Sequence, residues 1–425
     1  MRRATSSRPC WADRLRGRAA PLSEGVTDAP RYRPRTLAVR AGTKRAFQET
    51  SEALFLTSGY AYDGPDQAAA RFTGEDEGYI YSRFSNPTVS MFEERLAAME
   101  GAGWCAGTAT GMAAVTAALL CQLSAGDHMV ASRALFGSCR WVAETLCPRF
   151  GIETTFIDGT DERAWHEAIR PETRLFFLET PSNPGLEIID LAMVAGVARE
   201  ASVRLLVDNV FATPILQRPM DLGADLVVYS ATKHMDGQGR VLGGAILGSD
   251  EAFLTDTLRP YLRNTGPALS PFNAWVLLKS LETLDLRVRA MSETAAGLAD
   301  ALAERARGVR VGYPFRDDHP QAAIARSQMA AGGTLLTLDF GADEAAQERA
   351  FAFLRALALI DVSNNLGDAK SLATHPRTTT HSRLTEEARR AQGITPGLVR
   401  VSVGLEDPSD LLDDLSTGLR SAERA

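Results

Sequence analysis

Short apolar segments alternate with helix-like segments through the middle of the chain. A helix-like example is 191-LAMVAGVAREA-201. Strands that are buried on both faces have continuous apolar sequences, and strands that alternate with helices pair in parallel. The pattern therefore predicts an α/β fold with a mostly parallel sheet. The predicted strands are 128-HMVAS-132, 152-IETTFID-158, 174-RLFFLET-180, 203-VRLLVDN-209 and 225-DLVVYS-230.

The α/β region is introduced by a helix whose two ends are both marked in the sequence, 86-NPTVSMFEERLAAMEG-101. Asn86 suits the N-cap and Pro87 suits the first helical position, where its missing N–H costs nothing. Gly101 suits the left-handed residue that ends a helix. We therefore predict a helix between Asn86 and Gly101.

After about residue 290 the pattern changes to a smaller α+β unit. An Ala- and Arg-rich helix at 291–308 is followed by a strand at 333–340 and a helix at 344–359. The chain has 425 residues, and single cores stop growing near roughly 250–300 residues. We therefore expect a large α/β domain and a smaller one. The predicted divisions are a disordered tail at 1–34, an N-terminal arm at 35–83, a large domain at 84–290 and a small C-terminal domain at 291–425.

The charge balance excludes two classes of protein. The formal net charge is −7, without a basic stripe, which argues against nucleic acid as a partner. The sequence has no run of about 18 apolar residues, so we expect no membrane span. The opening 25 residues are rich in Arg, Ser and Ala but lack the apolar core of a secretory signal. A disordered tail or a translation start placed too early is favoured over an organelle transit peptide.

The cysteines and histidines indicate neither a disulfide framework nor a metal site. The five cysteines form no CxxC pair, and most lie among apolar neighbours, as in 119-LLCQL-123. They are therefore interpreted as small core residues in a reducing compartment, which suggests the cytoplasm. The six histidines show no HExxH spacing, so we predict no metal.

Polar residues follow two of the predicted strands, where the ligand site of a parallel sheet lies. Asp208 ends one strand, and Ser230, Thr232 and Lys233 follow the next. A Gly-containing turn, 107-GTAT-110, opens onto the N-terminus of a predicted helix at 111–120. Each feature alone is more often an ordinary cap or turn. In combination they describe one kind of site.

That site is suited to a phosphate, an aldehyde and a ring nitrogen carried by one ligand. A helix N-terminus binds phosphate through free N–H groups and the helix dipole. A lysine desolvated at a strand end has a depressed pKa and is a nucleophilic amine. An aspartate on the neighbouring strand would stabilise a protonated heteroaromatic nitrogen. These three properties describe pyridoxal 5'-phosphate (PLP).

Eight ordered segments resemble the Cys/Met metabolism family of fold-type I PLP-dependent enzymes. They span about residues 35–410. The resemblance implies a fold-type I transferase in which the large domain binds the cofactor. It also implies a homotetramer with each active site shared across a dimer interface. The segments are 36-TLAVRAG-42, 79-YIYSRFSNPT-88, 108-TATGMAA-114, 179-ETPSNP-184, 207-VDNVFATP-214, 229-YSATKHMDGQGR-240, 364-NNLGDAKSL-372 and 399-VRVSVGLED-407.

The resemblance assigns the cofactor-binding residues one motif at a time. It makes Lys233 the catalytic lysine that bonds covalently to the cofactor, and Asp208 the partner of the ring nitrogen. Asn183 would contact the ring oxygen or the substrate. The remaining residues would bind phosphate: Gly111 and Met112 through backbone N–H groups, Ser230 and Thr232 through hydroxyls, and Tyr81 and Arg83 by reaching the phosphate of a neighbouring subunit.

The resemblance also assigns two substrate-binding residues and shows two departures from the family. Arg400 would hold the substrate α-carboxylate in a bidentate fork, and Asn365 stands where many relatives have a serine that helps this arginine. Phe136 replaces the usual ring-stacking tyrosine; it still stacks on a ring but has no hydroxyl to accept a proton. Arg377 replaces a small residue. A surface change is favoured over a cation at the site entrance.

Four features resemble family members that act on O-succinyl-L-homoserine. They are Phe136, Tyr229 in place of the commoner histidine, and the segments 233–248 and 364–372. The expected reaction replaces succinate with sulfide and gives L-homocysteine. The nearest alternatives on the same scaffold use cysteine as the nucleophile or an acetyl ester as the substrate. A non-catalytic PLP-binding protein is a further alternative. A NAD-binding fold is disfavoured because no GxGxxG follows an early strand.

Overall fold

A computed structural model describes residues 32–425 of the chain. The predicted tail at 1–34 lies almost entirely outside the described residues, as does Cys10. The described helices lie between the strands and at both ends of the described chain. In chain order they are α1 Pro34–Arg40, α2 Pro65–Thr73, α3 Pro87–Glu100, α4 Gly111–Leu120, α5 Gly137–Trp141, α6 Glu162–Glu167, α7 Leu191–Glu200, α8 Thr213–Leu216, α9 Arg259–Thr265, α10 Pro271–Leu281, α11 Leu284–Arg305, α12 Ala322–Gln328, α13 Ala346–Ala356, α14 Glu386–Ala391 and α15 Pro408–Ala422.

A seven-stranded sheet forms the centre of the larger part of the molecule, in the order β1-β7-β6-β5-β4-β2-β3. The five strands from β2 to β6 pair in parallel, and β7 runs antiparallel to both of its neighbours. The predicted α/β fold with a mostly parallel sheet is therefore confirmed. The strands are β1 Trp104–Thr108, β2 His128–Ser132, β3 Glu153–Ile157, β4 Thr173–Glu179, β5 Arg204–Asp208, β6 Leu226–Ser230 and β7 Gly244–Gly248.

The predicted strands agree with β2 to β6 to within a residue or two at each end, and helix α3 has the predicted caps. Asn86 accepts a hydrogen bond from the Thr88 N–H, and Gly101 adopts a left-handed conformation with φ 81°. The inner strands were predictable because their apolar runs are buried on both sheet faces, as the fully buried β2 illustrates, whereas the edge strand β3 is only partly buried.

Strands β1 and β7 were missed, and the turn expected at 107–110 needs correction. Gly107 and Thr108 belong to β1, so only Ala109 and Thr110 connect it to α4. Glycines weaken a strand pattern, and here they serve close packing. A Cβ on Gly244 would lie 2.2 Å from the carbonyl oxygen of Thr110. Only glycine lets β7 lie against this connection.

A second, five-stranded sheet lies in the C-terminal part, in the order β10-β11-β12-β9-β8. Helices α13 and α15 pack together beside it, and their apolar side chains share one core with the sheet. The predicted α+β character of this region is confirmed. The strands are β8 Arg310–Gly312, β9 Leu335–Asp339, β10 Asp361–Val362, β11 Leu372–Thr374 and β12 Leu398–Ser402.

Helix α11, Leu284–Arg305, belongs to both cores. Leu284 and Val288 pack in the core of the large sheet, whereas Ala295 and Leu302 pack in that of the small sheet. The helix begins before residue 291, where the sequence predicted its start. The predicted division at 290–291 therefore falls within one continuous helix, between the residues that contact each core.

Within residues 32–425, every helix is too short or too polar to cross a lipid bilayer.

The close approach at Gly244 predicts opposite stability effects for two glycine substitutions. Gly244→Ala should destabilise the protein by about 1–3 kcal/mol, because the new methyl group collides with rigid backbone. Gly196→Ala is the control: Gly196 lies in α7 with no neighbour within 4 Å of its would-be Cβ. This substitution should stabilise by about 0.5–1 kcal/mol. Urea denaturation followed by circular dichroism measures both, and equal midpoints for the two variants would contradict the packing analysis.

Candidate active site

A cavity of about 250 Å³ lies at the carboxyl ends of β4, β5 and β6. Parallel sheets place ligands at this edge because the strand ends converge there. The structure brings most of the predicted site residues to this cavity. Those lining it are Gly111, Met112, Phe136, Asn183, Asp208, Ser230, Thr232, Lys233 and Arg400.

One end of the cavity is suited to a phosphate. Gly111 and Met112 are the first two residues of α4, whose N–H groups have no acceptor inside the helix. The Thr110 side chain caps Ala113 instead. A Cβ on Gly111 would lie 2.5 Å from the Cβ of Ser230. Glycine therefore lets the Ser230 hydroxyl lie directly beside the helix N-terminus.

Thr232 lies in the same region and has a second contact. Its hydroxyl accepts a hydrogen bond from the Gly243 N–H at 3.1 Å. This bond ties the turn that carries Lys233 to the chain that enters β7. Thr232 therefore holds the turn in place and also lines the cavity.

Lys233 is a partly buried amine held by one side-chain hydrogen bond. Its Nζ donates to Oδ1 of Asn365 at 2.6 Å. Burial, with a smaller contribution from the positive charge of Arg400, lowers the pKa of Lys233 to about 8. The uncharged amine, the form that attacks a carbonyl carbon, is therefore far more populated near neutral pH than in an ordinary lysine.

Two carboxyl groups lie side by side at the ends of β4 and β5, where Glu179 pairs with Asp208 in the sheet. Burial raises the pKa of Asp208 to about 7, and the Val210 N–H donates to its Oδ1 at 3.1 Å. A protonated nitrogen placed against Asp208 would favour its ionised form. The cavity thus offers such a nitrogen a buried counter-charge.

Glu179 is a site residue that sequence reasoning missed. It lines the cavity and accepts a hydrogen bond from the Phe136 N–H at 2.6 Å. Burial and the neighbouring negative charge of Asp208 raise its pKa well above the ordinary value. The signal was available, because Glu179 ends a predicted strand in the same way as Asp208.

Arg400 is fully buried on β12 and reaches the cavity from the small sheet. Its guanidinium donates to Oδ1 of Asn183 at 2.8 Å and to the carbonyl oxygens of Asn364 and Asn365 at 3.0 and 3.1 Å. Its Nε has no hydrogen-bond partner among the described residues. A buried donor without a partner is costly, so this atom fits a ligand with an acceptor such as a carboxylate.

Asn365 contacts Arg400 differently from the prediction. The expected assistance would come from its side chain, in place of a serine. In the structure its backbone carbonyl accepts from Arg400, while its side-chain oxygen accepts from Lys233. The side-chain oxygen of Asn365 lies 2.6 Å from the Nζ of Lys233, so it bonds to the lysine and not to Arg400. Asn365 thereby joins the two cations of the cavity.

Phe136 lines the cavity and lies edge-on to His381, with ring centroids 6.4 Å apart. Its stacking on a cofactor ring stays a prediction. Arg377 pairs with Glu386 at 3.1 Å and does not line the cavity. The structure thus agrees with a change outside the site at this position.

Tyr81 and Arg83 lie away from the cavity of their own chain. The Arg83 guanidinium lies 4.9 Å from the centre of the Phe84 ring and donates to the carbonyl oxygen of Arg263. Tyr81 is 42% exposed. Neither residue is brought to the lysine by the fold of one chain, so their contact with a neighbouring subunit's phosphate stays a prediction.

Tyr229, which the sequence marked only as unusual, lies at the centre of a buried polar network. Its hydroxyl accepts from Asn209 Nδ2 at 2.6 Å and donates to Glu100. Burial raises the pKa of Glu100 to about 8, so the carboxyl group is largely protonated at neutral pH. The network ties together the strand ends that carry Asp208 and Ser230.

The residues of the cavity fit PLP. The open N-terminus of α4 with Ser230 suits the phosphate, Lys233 suits the aldehyde, and Asp208 suits the ring nitrogen. The unpartnered Nε of Arg400 adds a place for a substrate carboxylate. Within the described part of the chain, no cluster of three or more His, Cys, Asp or Glu side chains is placed to hold a metal ion.

Comparison with known proteins supports the same fit. The family of Cys/Met metabolism PLP-dependent enzymes matches residues 35–420. An O-succinylhomoserine sulfhydrylase of Mycobacterium tuberculosis (strain CDC 1551 / Oshkosh) is 49% identical over 400 residues, which cover 94% of this chain and 97% of that protein. An O-succinylhomoserine sulfhydrylase of Pseudomonas aeruginosa is 46% identical over 386 residues, covering 90% and 94%.

A solved structure gives the same result for the fold. A putative O-acetylhomoserine (thiol)-lyase from Campylobacter jejuni, crystallised with N'-pyridoxyl-lysine-5'-monophosphate, has a TM-score of 0.87 and 31% identity. The match covers 92% of this chain and 100% of that chain. The predicted fold class, a fold-type I PLP-dependent enzyme with a mostly parallel large sheet, is confirmed.

The lowered pKa of Lys233 predicts the pH dependence of cofactor attachment. The uncharged amine is the reactive form, so the rate at which the apoprotein bonds PLP should rise as the pH increases through about 8 and then level off. Stopped-flow absorbance measures this rate. Nα-acetyl-lysine in the same buffers is the control for an unburied amine. A protein profile with its midpoint near 10.5, the ordinary lysine value, would contradict the burial argument.

Proposed function

The chain belongs to the Cys/Met metabolism PLP-dependent enzyme family, and from this premise we propose that it replaces the succinate of O-succinyl-L-homoserine with sulfide. The products are L-homocysteine and succinate, so the reaction serves methionine biosynthesis. The main support is the 46–49% identity to O-succinylhomoserine sulfhydrylases over nearly the whole chain. The cavity supports the same chemistry, because it combines a lysine of lowered pKa with a buried arginine.

PLP, when bound, supplies an electron sink for the negative charge left by removal of the α-proton. The N–H groups of Gly111 and Met112 and the hydroxyls of Ser230 and Thr232 would hold its phosphate. Asp208 would keep its ring nitrogen protonated, and Asn183 would contact its ring oxygen or the substrate. Phe136 would pack against the ring face. These assignments place every predicted cofactor contact of one chain in the observed cavity.

Arg400 would bind the substrate α-carboxylate and orient the amino acid. The contacts of its guanidinium with Asn183 and the Asn364 and Asn365 carbonyls fix its plane, which favours a defined approach. The unpartnered Nε is one donor available to the ligand. Arg400 thus decides which substrate carbon faces Lys233.

Lys233 would move protons during the reaction. As a free amine, its Nζ would remove the substrate α-proton and would later return protons to the product. Its lowered pKa suits both directions of transfer near neutral pH. Asn365 would orient the amine through its side-chain oxygen. In the net exchange the Cγ–O bond would break to release succinate, a C–S bond to sulfide would form at the same carbon, and the protons removed from Cα and Cβ would be returned to them.

The proposal includes a homotetramer in which Tyr81 and Arg83 reach the phosphate site of a second copy. It is supported by their position, partly exposed and away from the cavity of their own chain. The proposed compartment is the cytoplasm. The four described cysteines, Cys105, Cys121, Cys139 and Cys147, are all free, as expected in a reducing environment.

Steady-state assays with two esters and two nucleophiles test the proposed reaction. We expect O-succinylhomoserine with sulfide to give homocysteine with the highest kcat/KM of the four combinations, because both substrates then match those of the similar sulfhydrylases. Chromatography identifies the product. Faster formation of cystathionine from cysteine would assign the protein to the synthases, and a preference for the acetyl ester would assign it to the acetyl-dependent sulfhydrylases.

Removal of the Lys233 amine should abolish both the covalent link to the cofactor and the turnover. Lys233→Ala should lose at least about 10²–10⁴-fold in kcat, the usual contribution of a positioned base. Lys370→Ala is the matched control, because Lys370 is an exposed lysine paired with Asp368. Borohydride reduction and peptide mass analysis of the wild type should find the adduct on Lys233. An adduct on another residue would overturn the assignment.

A further inference from the structure

A second cavity of about 550 Å³ adjoins the active-site cavity at Thr380, which lines both. It lies between α5, Gly137–Trp141, and the segment 379–384. The two walls approach closely, since a Cβ on Gly137 would lie 3.1 Å from the Thr380 carbonyl oxygen. A ligand that extends beyond Phe136 therefore enters a space bounded by these two elements.

The proposed substrate carries two carboxylates, one at each end. Of the residues lining the active-site cavity, Lys233 and Arg400 are the cations. In the proposed function, Lys233 transfers protons and Arg400 binds the α-carboxylate. A carboxylate at the far end of the succinyl group needs a further cation, and the adjoining cavity is the place to find it.

Arg140 and Arg383 are the cations that line the second cavity. The Nε of Arg140 donates to Glu144 at 3.1 Å, and its guanidinium lies over the Phe156 ring at 4.3 Å. Its charge is therefore already paired. Arg383 lines the second cavity, is exposed to solvent, and forms no ion pair with another described residue. Its charge is available to a ligand.

The wall beside Arg383 also carries an unused polar atom. His381 is 1% exposed and lines the second cavity. Its Nδ1 is hydrogen-bonded to the Thr380 hydroxyl at 2.8 Å, whereas its Nε2 has no partner among the described residues. A buried polar atom without a partner is expected to be satisfied by a ligand or water. The wall is thus polar on the side where the succinyl group would extend.

We propose that Arg383 binds the distal carboxylate of the succinyl group and so determines the preference for the succinyl over the acetyl ester. The inference rests on the proposed function. The planar guanidinium matches a carboxylate with two parallel hydrogen bonds, and an unpaired one needs no ion pair to be broken first. The acetyl ester has no distal carboxylate and leaves Arg383 without a role.

The test compares Arg383→Ala with the wild type on both esters. We expect kcat/KM for O-succinylhomoserine to fall about tenfold or more, mainly through a higher KM, because a binding contact is lost. The value for O-acetylhomoserine should stay within about twofold. Arg383→Lys should retain part of the preference. Arg390→Ala is the matched control, since Arg390 is an exposed arginine of the nearby helix α14 that does not line the second cavity.

Loss of the ester preference in Arg140→Ala but not in Arg383→Ala would overturn the proposal, as would equal effects of Arg383→Ala on both esters. Calorimetric binding of O-succinylhomoserine to Lys233→Ala, with and without Arg383→Ala, separates binding from turnover. The wild type could fail to turn over the succinyl ester while Lys233→Ala still binds this ester more weakly after Arg383→Ala is added. That result would refute the proposed function but support the binding site. Unchanged affinity would refute the binding site alone.

Discussion

The amine of Lys233 and the guanidinium of Arg400 are both held by Asn365. The side-chain oxygen of Asn365 accepts from Lys233 at 2.6 Å, and its carbonyl oxygen accepts from Arg400 at 3.1 Å. Two cations so close together and buried would repel each other if both were charged. Arginine keeps its charge, so the lysine releases its proton more readily. The permanent charge that suits a substrate carboxylate thus also helps the lysine to be a nucleophile.

Two carboxyl groups, those of Asp208 and Glu179, line the same cavity. Asp208 and Glu179 are neighbours across β5 and β4, and both have raised pKa values because they are buried. Two like charges so close disfavour double ionisation. A protonated nitrogen beside Asp208 would favour the ionised form of Asp208, whose negative charge in turn keeps the neighbouring Glu179 protonated. The protonation states of the two carboxyl groups therefore depend on the ligand that the cavity binds.

The sequence predicted the parts of the fold that depend on local patterns. The strands β2, β4, β5 and β6 carry apolar runs; Asp208 ends β5, and Lys233 lies in the turn that follows β6. Strands β1 and β7 were missed because their glycines answer to tertiary contacts: a Cβ on Gly244 would collide with the Thr110 carbonyl oxygen, and one on Gly107 would lie 3.2 Å from the Leu269 side chain. Spacing along the chain does not encode such an approach.

The site residues also divide into those that a local sequence pattern predicts and those that depend on a tertiary contact. Lys233 and Asp208 were predictable from strand ends, whereas the place of Arg400 in the cavity was inferred from resemblance, since it comes from the other sheet. The exchange of roles at Asn365, between side chain and carbonyl, depends on ångström-scale distances that no motif contains. Glu179 was recognisable in principle, because the reasoning used for Asp208 applies to it without change.

Helix α11 contributes side chains to both cores, so it resists any rotation of one sheet against the other. Lys233 is carried by the large sheet and Arg400 by the small one, and a continuous helix of 22 residues fixes the span between them. The backbone of this molecule therefore has little freedom to widen for a longer amino-acid ester. A ligand of different length would have to be accommodated by the side chains that line the cavity, since the two sheets cannot separate to make room for it.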